Sequence, residues 1–175
     1  LPDDAIRLIS QALGIELRPD VAAQLSEVFA TAILVHPPLP IAGALDAVRA
    51  AAECYPVGVV CDSGVSPGWS LRHLLERHGF MEHIRALVFS DVVRVSKPQR
   101  AMFEAAAKAL GVQVNELLHI GDLQNTDIIG AQSVGAKAAL FAGDNNRYLN
   151  NTTADYVFTS WSQFVAKLPE ICATV

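Results

Sequence analysis

The strongest constraint on this chain lies beyond residue 56, where short apolar runs alternate with helical stretches. Val57-Gly58-Val59-Val60-Cys61, Ala86-Leu87-Val88-Phe89, Leu117-Leu118-His119-Ile120, Ala138-Ala139-Leu140-Phe141 and Tyr156-Val157-Phe158 are short apolar runs bounded by turn residues. Runs that are apolar throughout, without an in-out alternation, belong to strands covered on both faces, as parallel strands are. Helical patterns fall between them, over 68–78, 99–110, 127–134 and 161–168, and Gly79, Gly111 and Gly135 stand where such helices stop. Strands alternating with helices of this length predict an α/β fold: a three-layer, Rossmann-like parallel sheet with helices on both faces.

The first forty residues read differently. Asp3 or Asp4 is placed to cap a helix running to Leu13, with Ile6, Ile9 and Leu13 on one face and Gly14 at its end. A second helix is predicted over 19–33, with Pro19 in its first turn and Val21, Leu25, Val28, Phe29 and Ile33 as an apolar stripe. Pro37-Pro38-Leu39-Pro40 cannot continue a helix. It is predicted to be a hinge between a small helical segment, 1–37, and an α/β core, 38–175, that opens with a helix over 41–53.

Composition removes several function classes. With 175 residues, 51% of them apolar and only 18% charged, the chain can bury a core and is not a disordered segment. Its 13 basic and 18 acidic residues give a net charge of −5 with no basic stripe, which argues against a nucleic-acid partner. No apolar run approaches the ~18–20 residues that a membrane span needs. Cys54, Cys61 and Cys172 are odd in number and scattered. They suit reduced thiols in a cytoplasmic protein better than a disulfide framework or a zinc site.

In an open parallel sheet, ligands sit beyond the carboxyl ends of the strands. Cys61 is followed by Asp62-Ser63-Gly64-Val65-Ser66-Pro67-Gly68. Phe89 is followed by Ser90-Asp91 and then Ser96-Lys97-Pro98. Ile120 is followed by Gly121-Asp122-Leu123-Gln124-Asn125-Thr126-Asp127. Small hydroxyls, one lysine and several carboxylates therefore converge on one edge. Asp122 and Asp127, across a turn entering a helix, suit a hard oxygen-ligated cation such as Mg2+. Lys97 brings a compact positive charge for a phosphoryl group, and Cys61, Asp62 and Ser63 lie where a strand end and its amides hold phosphate oxygens. Each residue has a plainer reading too. Asp122 is a turn former, Lys97 a solvated loop lysine, and Ser63 and Ser66 are helix caps. His119, in a buried strand, reads as a satisfied core histidine, and Asp144-Asn145-Asn146-Arg147 as a solvated loop.

Taken in order, these motifs resemble those of the haloacid dehalogenase (HAD) superfamily of aspartate-nucleophile hydrolases, over about 38–168. Gly121-Asp122 with Asp127 resembles the fourth motif, which implies Mg2+ ligands. Ser96-Lys97-Pro98 resembles the third, whose lysine steadies the nucleophile and the phosphoryl charge. The stretch from Val57 to Gly68 resembles the second, which binds the phosphoryl group, and the helices of 1–36 resemble part of a cap. The resemblance implies a phosphatase-type hydrolase, small phosphorylated substrates and catalytic roles for Lys97 and Asp122. There are three departures. Cys61 stands at the hydroxyl position of the second motif, with Asp62 where Asn is common and Ser63 two residues further on. Arg94 replaces a small residue before the lysine.

The third departure is larger. The family's nucleophile and general acid lie in Asp-x-Asp at the end of a central first strand, and Asp-x-Asp occurs nowhere in these residues. That strand would lie between 57–61 and 117–120. Its loss implies a slot of two strand spacings, roughly 9–10 Å, with two rows of orphaned backbone groups. Three arrangements answer this: an N-terminal segment outside these 175 residues, a strand from another chain (a homo-oligomer among the options), or two flanking strands that have closed together. The first is the expectation, and with it a chain inactive alone. The alternative function is a catalytically inactive HAD-like binding or assembly module. A dehalogenase would not need the paired Asp122 and Asp127. A signalling receiver would carry Lys-Pro after its last strand, and a dinucleotide-binding domain would need Gly-x-Gly-x-x-Gly, which is absent.

Overall fold

A computed structural model describes residues 1–173; the last two residues of the predicted core region lie outside the described residues. The chain opens with two helices, α1 (Pro2–Leu13) and α2 (Pro19–Val35). Each starts on a proline whose missing N–H costs nothing in a first turn. Asp3 and Asp4 sit inside the first turn of α1, where they favour its positive end, and do not cap it by hydrogen bonding. Gly14 ends α1 at φ 65°, the left-handed conformation that a helix end adopts cheaply only with glycine. The prolines of 37–40 then form a non-helical connection.

The core follows as α3 (Ala44–Cys54), β1 (Gly58–Cys61), α4 (Gly68–Arg77), β2 (Ala86–Phe89), the one-turn α5 (Ser90–Val93), α6 (Arg100–Leu110), β3 (Leu118–Gly121), α7 (Ile129–Ser133), β4 (Lys137–Phe141), β5 (Tyr156–Phe158) and α8 (Trp161–Ala173). Each strand of the sequence pattern is present within about one residue. Three elements differ from expectation, the first being α7, which starts at Ile129 after a wide turn and not at 127. α5 was not predicted, and α8 continues through Pro169 beyond the expected stop at Leu168. Leu168 and Ile171 on either side of Pro169 are both buried in the same apolar cluster, and that packing carries the helix past the proline.

All pairing is parallel, but it falls into two ribbons. β1 pairs with β2, Gly58 opposite Ala86 through Cys61 opposite Phe89. β3, β4 and β5 form a separate three-stranded ribbon in that order. β1 and β3 are not paired with each other, so the third arrangement considered above, closure of the two strands, is ruled out. Burial reflects this. β4, flanked on both edges, has Ala138, Ala139 and Leu140 at 0% exposure, whereas β1 and β3 are only half-buried along their whole length.

Apolar clusters cover both faces. On one, Met102, Phe103 and Ala106 of α6 pack with Val88, Ile128, Ala138 and Leu140. On the other, Ala47 of α3 and Phe164, Leu168 and Ile171 of α8 pack with Ala139, Phe141 and Phe158. The α1–α2 hairpin rests on α4, where the buried Ser70 hydroxyl donates to the Ala30 carbonyl at 2.7 Å.

Between β1 and β3 runs a slot of about 370 Å³. Val57 to Val60 line one side and Leu117 to Ile120 the other. Phe103, Ala106 and Leu110 close one face, and Ala47, Ala51, Trp161, Phe164, Leu168 and Ile171 the other.

Candidate active site

The carboxyl ends of β1, β2 and β3 converge, and the loops that leave them are tied together by hydrogen bonds. Asp62, directly after β1, accepts the Lys97 backbone N–H on Oδ1 at 2.9 Å. Lys97, in the loop after α5, sends its Nζ to Asp127 Oδ1 at 2.6 Å. Asp127 follows β3, so one lysine links all three strand ends.

A close backbone approach makes the Asp127 position possible. A Cβ on Gly121 would lie 2.3 Å from Asp127 Cγ, so the residue ending β3 must be glycine. The chain then makes a wide helical turn over Gln124–Ile128, in which the Leu123 carbonyl accepts both Asp127 N–H at 2.9 Å and Ile128 N–H at 3.3 Å. Such widened turns recur at functional sites because they re-aim one side chain. A β-carbon on Gly130 would likewise press on Phe103 at 2.9 Å and Pro98 Cα at 3.1 Å, so glycine lets the helix pack against the Lys97-Pro98 loop.

Asp127 is 3% exposed and Lys97 12%. His119 Nε2 reaches the same Oδ1 at 2.9 Å, and Leu123 N–H donates to Oδ2 at 3.0 Å. Burial pushes the Asp127 carboxyl up, but the hydrogen bonds from His119 and Lys97 and the charge of Lys97 outweigh it and hold the group well below the usual carboxylate range. An ionised carboxylate only accepts, so His119 must carry its proton on Nε2. Its ring meets Phe103 edge-on at 5.3 Å.

The other predicted residues are placed as follows. Cys61 ends β1 half-buried. Burial pushes its thiol up, and neighbouring Asp62, Asp127 and Asp91 add to that against the pull of Lys97. The group is therefore a neutral, weak donor and no thiolate nucleophile. Ser63 is 5% exposed and turned toward Asp91. Its hydroxyl donates to Asp91 Oδ1 at 2.5 Å and accepts the Asp91 N–H at 3.0 Å. Asp91 Oδ2 in turn accepts Gly68 N–H at 3.0 Å, satisfying the first turn of α4. Ser63 thus clasps two loops, and neither Ser63 nor Ser66 caps α4 by side chain.

Asp122 is half-buried, with Oδ2 receiving Asn145 Nδ2 at 2.9 Å. Asp122 and Asp127 do not stand as two free carboxylates. Asp127 accepts from Lys97 and His119 on Oδ1 and from Leu123 N–H on Oδ2, which leaves capacity for a cation on Oδ2 alone. Among the described residues no group of three His, Cys, Asp or Glu side chains is arranged to hold a metal. Asp122, with Asn145 on one oxygen, has the greater coordination capacity of the two, and its neighbours alone do not complete a cation site.

Sequence reasoning did not assign three residues here. His119 is the satisfied strand histidine expected from the sequence, and the partner that satisfies it, Asp127, is the part left open by the sequence. Strand alternation carried the signal, since His119 and Gly121 share one face of β3. Asn145 lies beyond the end of β4, the position from which a side chain reaches the site. Asp91 carried no signal beyond following β2.

The comparisons with known proteins come down on one family. A haloacid dehalogenase-like hydrolase family model matches residues 4–135. The chain belongs to that family. A glyceraldehyde 3-phosphate phosphatase of Pyrococcus furiosus is 32% identical over 124 residues, which are 69% of this chain and 50% of the relative. The same-named protein of Pyrococcus abyssi is 36% identical over 87 residues, 50% of this chain and 35% of the relative. The chain thus spans half or less of the curated relatives it matches. Among solved structures, a HAD phosphatase from Thermococcus onnurineus aligns with a TM-score of 0.63 at 20% identity, covering 97% of this chain and 87% of the other. A 2-haloacid dehalogenase from Pseudomonas syringae aligns at 0.69 and 19%, covering 96% and 69%. At these identities both likenesses show the fold: an α/β HAD-like arrangement with parallel strands. No helix of the described residues is long and apolar enough to cross a membrane.

Proposed function

We propose that this HAD-like hydrolase chain forms most of a phosphomonoester phosphatase site whose nucleophile is carried by a segment outside these 175 residues. The observation that carries the reading is the Lys97–Asp127 pair, 2.6 Å apart, in the loops that follow the carboxyl ends of the strands flanking the slot. A carboxylate delivered by a strand in that slot would arrive beside Lys97. The phosphatase names of the Pyrococcus relatives support a small phosphorylated substrate.

In this reading an aspartate of the added segment attacks phosphorus and the ester oxygen leaves, taking a proton from a neighbouring carboxylic acid. Water then attacks the aspartyl-phosphate, gives its proton to that same acid group, and releases phosphate. The residues of this chain position and stabilise. Asp127 and His119 hold Lys97 at a fixed point, so that its charge meets the phosphoryl oxygens without reorganising. Cys61 and the amides after β1 offer weak donors to the same group. Mg2+, where bound, would neutralise phosphoryl charge, and Asp122 is the residue placed to hold it, steadied by Asn145. The α1–α2 hairpin, as a partial cap, would exclude water and select the substrate.

The test joins an apolar strand ending in Asp-x-Asp to the chain through a flexible linker and assays p-nitrophenyl phosphate with Mg2+. Turnover that falls at least 100-fold in Asp122→Asn and in Lys97→Met is expected, since losing one charge-stabilising group costs about that much. A well-folded joined protein with no turnover, or turnover indifferent to both substitutions, would overturn the proposal.

A further inference from the structure

We propose that Cys54 and Cys172 form a redox-active dithiol, which a low-molecular-weight disulfide such as glutathione disulfide converts to an intramolecular bond stapling α8 to α3. The site lies away from the strand-end loops and does not rest on the phosphatase reading.

The two helices run side by side in the same direction. A Cβ on Gly43, the residue before α3, would meet the Trp161 Cβ at 3.5 Å, so the helices start together. At the other end the hydroxyl of Tyr55, the residue after α3, donates to the Cys172 carbonyl at 3.1 Å. That carbonyl lies in the last turn of α8, where helix carbonyls lack intrahelical donors. The same sequence offset joins Gly43 to Trp161 and Cys54 to Cys172, so the two cysteines hold matching positions in the last turns of their helices. The apolar stripes agree. Ala50 and Ala51 of α3 pack in one cluster with Leu168, Ile171 and Cys172 of α8. Cys54 continues the α3 stripe one turn on, because residues three and four apart share a helix face. The Cys54 thiol lies within hydrogen-bonding reach of Cys172.

Access divides the roles. Cys54 is exposed and Cys172 half-buried. Cys54 also lines a cleft of about 550 Å³, together with Tyr55 and Arg85, through which a small disulfide reaches its sulfur. The contact with Cys172, desolvation and the nearby charge of Glu53 push the Cys54 thiol up, which makes the pair a slow latch and not a fast peroxide sensor. Exchange balances without a further co-reactant. Cys54 gives up its proton, and its thiolate attacks one sulfur of glutathione disulfide. A mixed disulfide forms, and one glutathione leaves with that proton. The Cys172 thiolate then attacks Cys54 Sγ, the mixed bond breaks, and the second glutathione leaves with the Cys172 proton. The protein loses two hydrogens, and glutathione disulfide is reduced to two glutathione molecules. The ring closed in this way encloses β1 to β5, and links that close long loops restrict the unfolded chain most. Cys61 lies at the far end of β1 and takes no part.

The experiment incubates the 175-residue chain with excess glutathione disulfide at about pH 8.5, where thiolate forms, and follows free thiols, intact mass and thermal melting. Free thiols are expected to fall from three to one, with a mass change of two hydrogens and a proteolytic map that joins the peptides of Cys54 and Cys172. The melting temperature should rise by on the order of 5–10 °C, and dithiothreitol should reverse every change. Cys61→Ser should behave as the parent. Cys54→Ser and Cys172→Ser should show no internal bond and no rise in melting temperature. If Cys172→Ser fails to fold, Cys54→Ser, at an exposed position, decides. In concentrated urea the preference for the Cys54–Cys172 pairing should vanish, since the fold sets it. A lasting glutathione adduct on Cys54 of the parent, a bond to Cys61, or dimers linked between chains would overturn the proposal. So would a Cys54–Cys172 bond that leaves the melting temperature unchanged or lower.

Discussion

At the scale of single residues, the site depends on how closely the chain passes itself. Gly121→Ala would drive a methyl group into the Asp127 carboxylate, at 2.3 Å from Cγ. Overpacking of this kind costs about 2 kcal/mol, and the expected lower urea midpoint checks it. Asp127→Asn leaves Lys97 without its buried counter-charge, and the expected loss is about 3 kcal/mol. The pH dependence has a definite sign. Because the Asp127 carboxyl is held below its ordinary 3.8, its contribution is fully present above that value and is lost as pH falls through the lower folded one. Urea unfolding of the parent chain should therefore weaken steeply below about pH 4, and Asp127→Asn should flatten that slope. A variant with the parent's slope would show that Asp127 titrates normally. Lys97, Asp122 and Asp127 could be picked from the sequence because they follow apolar runs. His119 and Asp91 could not, because their roles arise from partners that only the folded chain brings within reach.

At the scale of elements, the strands were legible because apolar runs buried on both faces leave a clear pattern, and the glycine stops placed the ends of α1 and α6. The pattern failed where tertiary packing overrode it. α8 passes Pro169 because Leu168 and Ile171 share one apolar cluster. The wide turn over Gln124–Ile128 replaces the start of the helix predicted from 127, because Asp127 must face back toward Lys97. α5 was invisible, since four residues show no period. That element ends at Arg94 with φ 70°, a left-handed conformation that side chains other than glycine adopt at a cost. Arg94→Gly is expected to be neutral or stabilising by up to about 1 kcal/mol. A thermal melt that moves clearly downward would mean that the Arg94 side chain is itself held by the fold. The Ser63–Asp91–Gly68 clasp shows the same limit. A serine after a strand reads as a phosphate ligand until its partner across the loop is seen.

At the scale of the whole molecule, the division of the parallel strands into two ribbons gives the account its shape. Helices on both faces, convergent strand ends and a lysine spanning three loops form a site around a slot in the middle of the sheet. The family match places the chain among HAD-like hydrolases, and the motifs anticipated that frame because their order follows strand order. That a further strand fills the slot is part of the proposed function, since Asp-x-Asp is nowhere in these residues. The most direct test is the release of phosphate from p-nitrophenyl phosphate by the 175-residue chain alone, with Mg2+. The account predicts none above the buffer rate, because the proposed reading assigns the nucleophile to a segment outside these residues. Turnover by this chain that Asp122→Asn abolishes would contradict it.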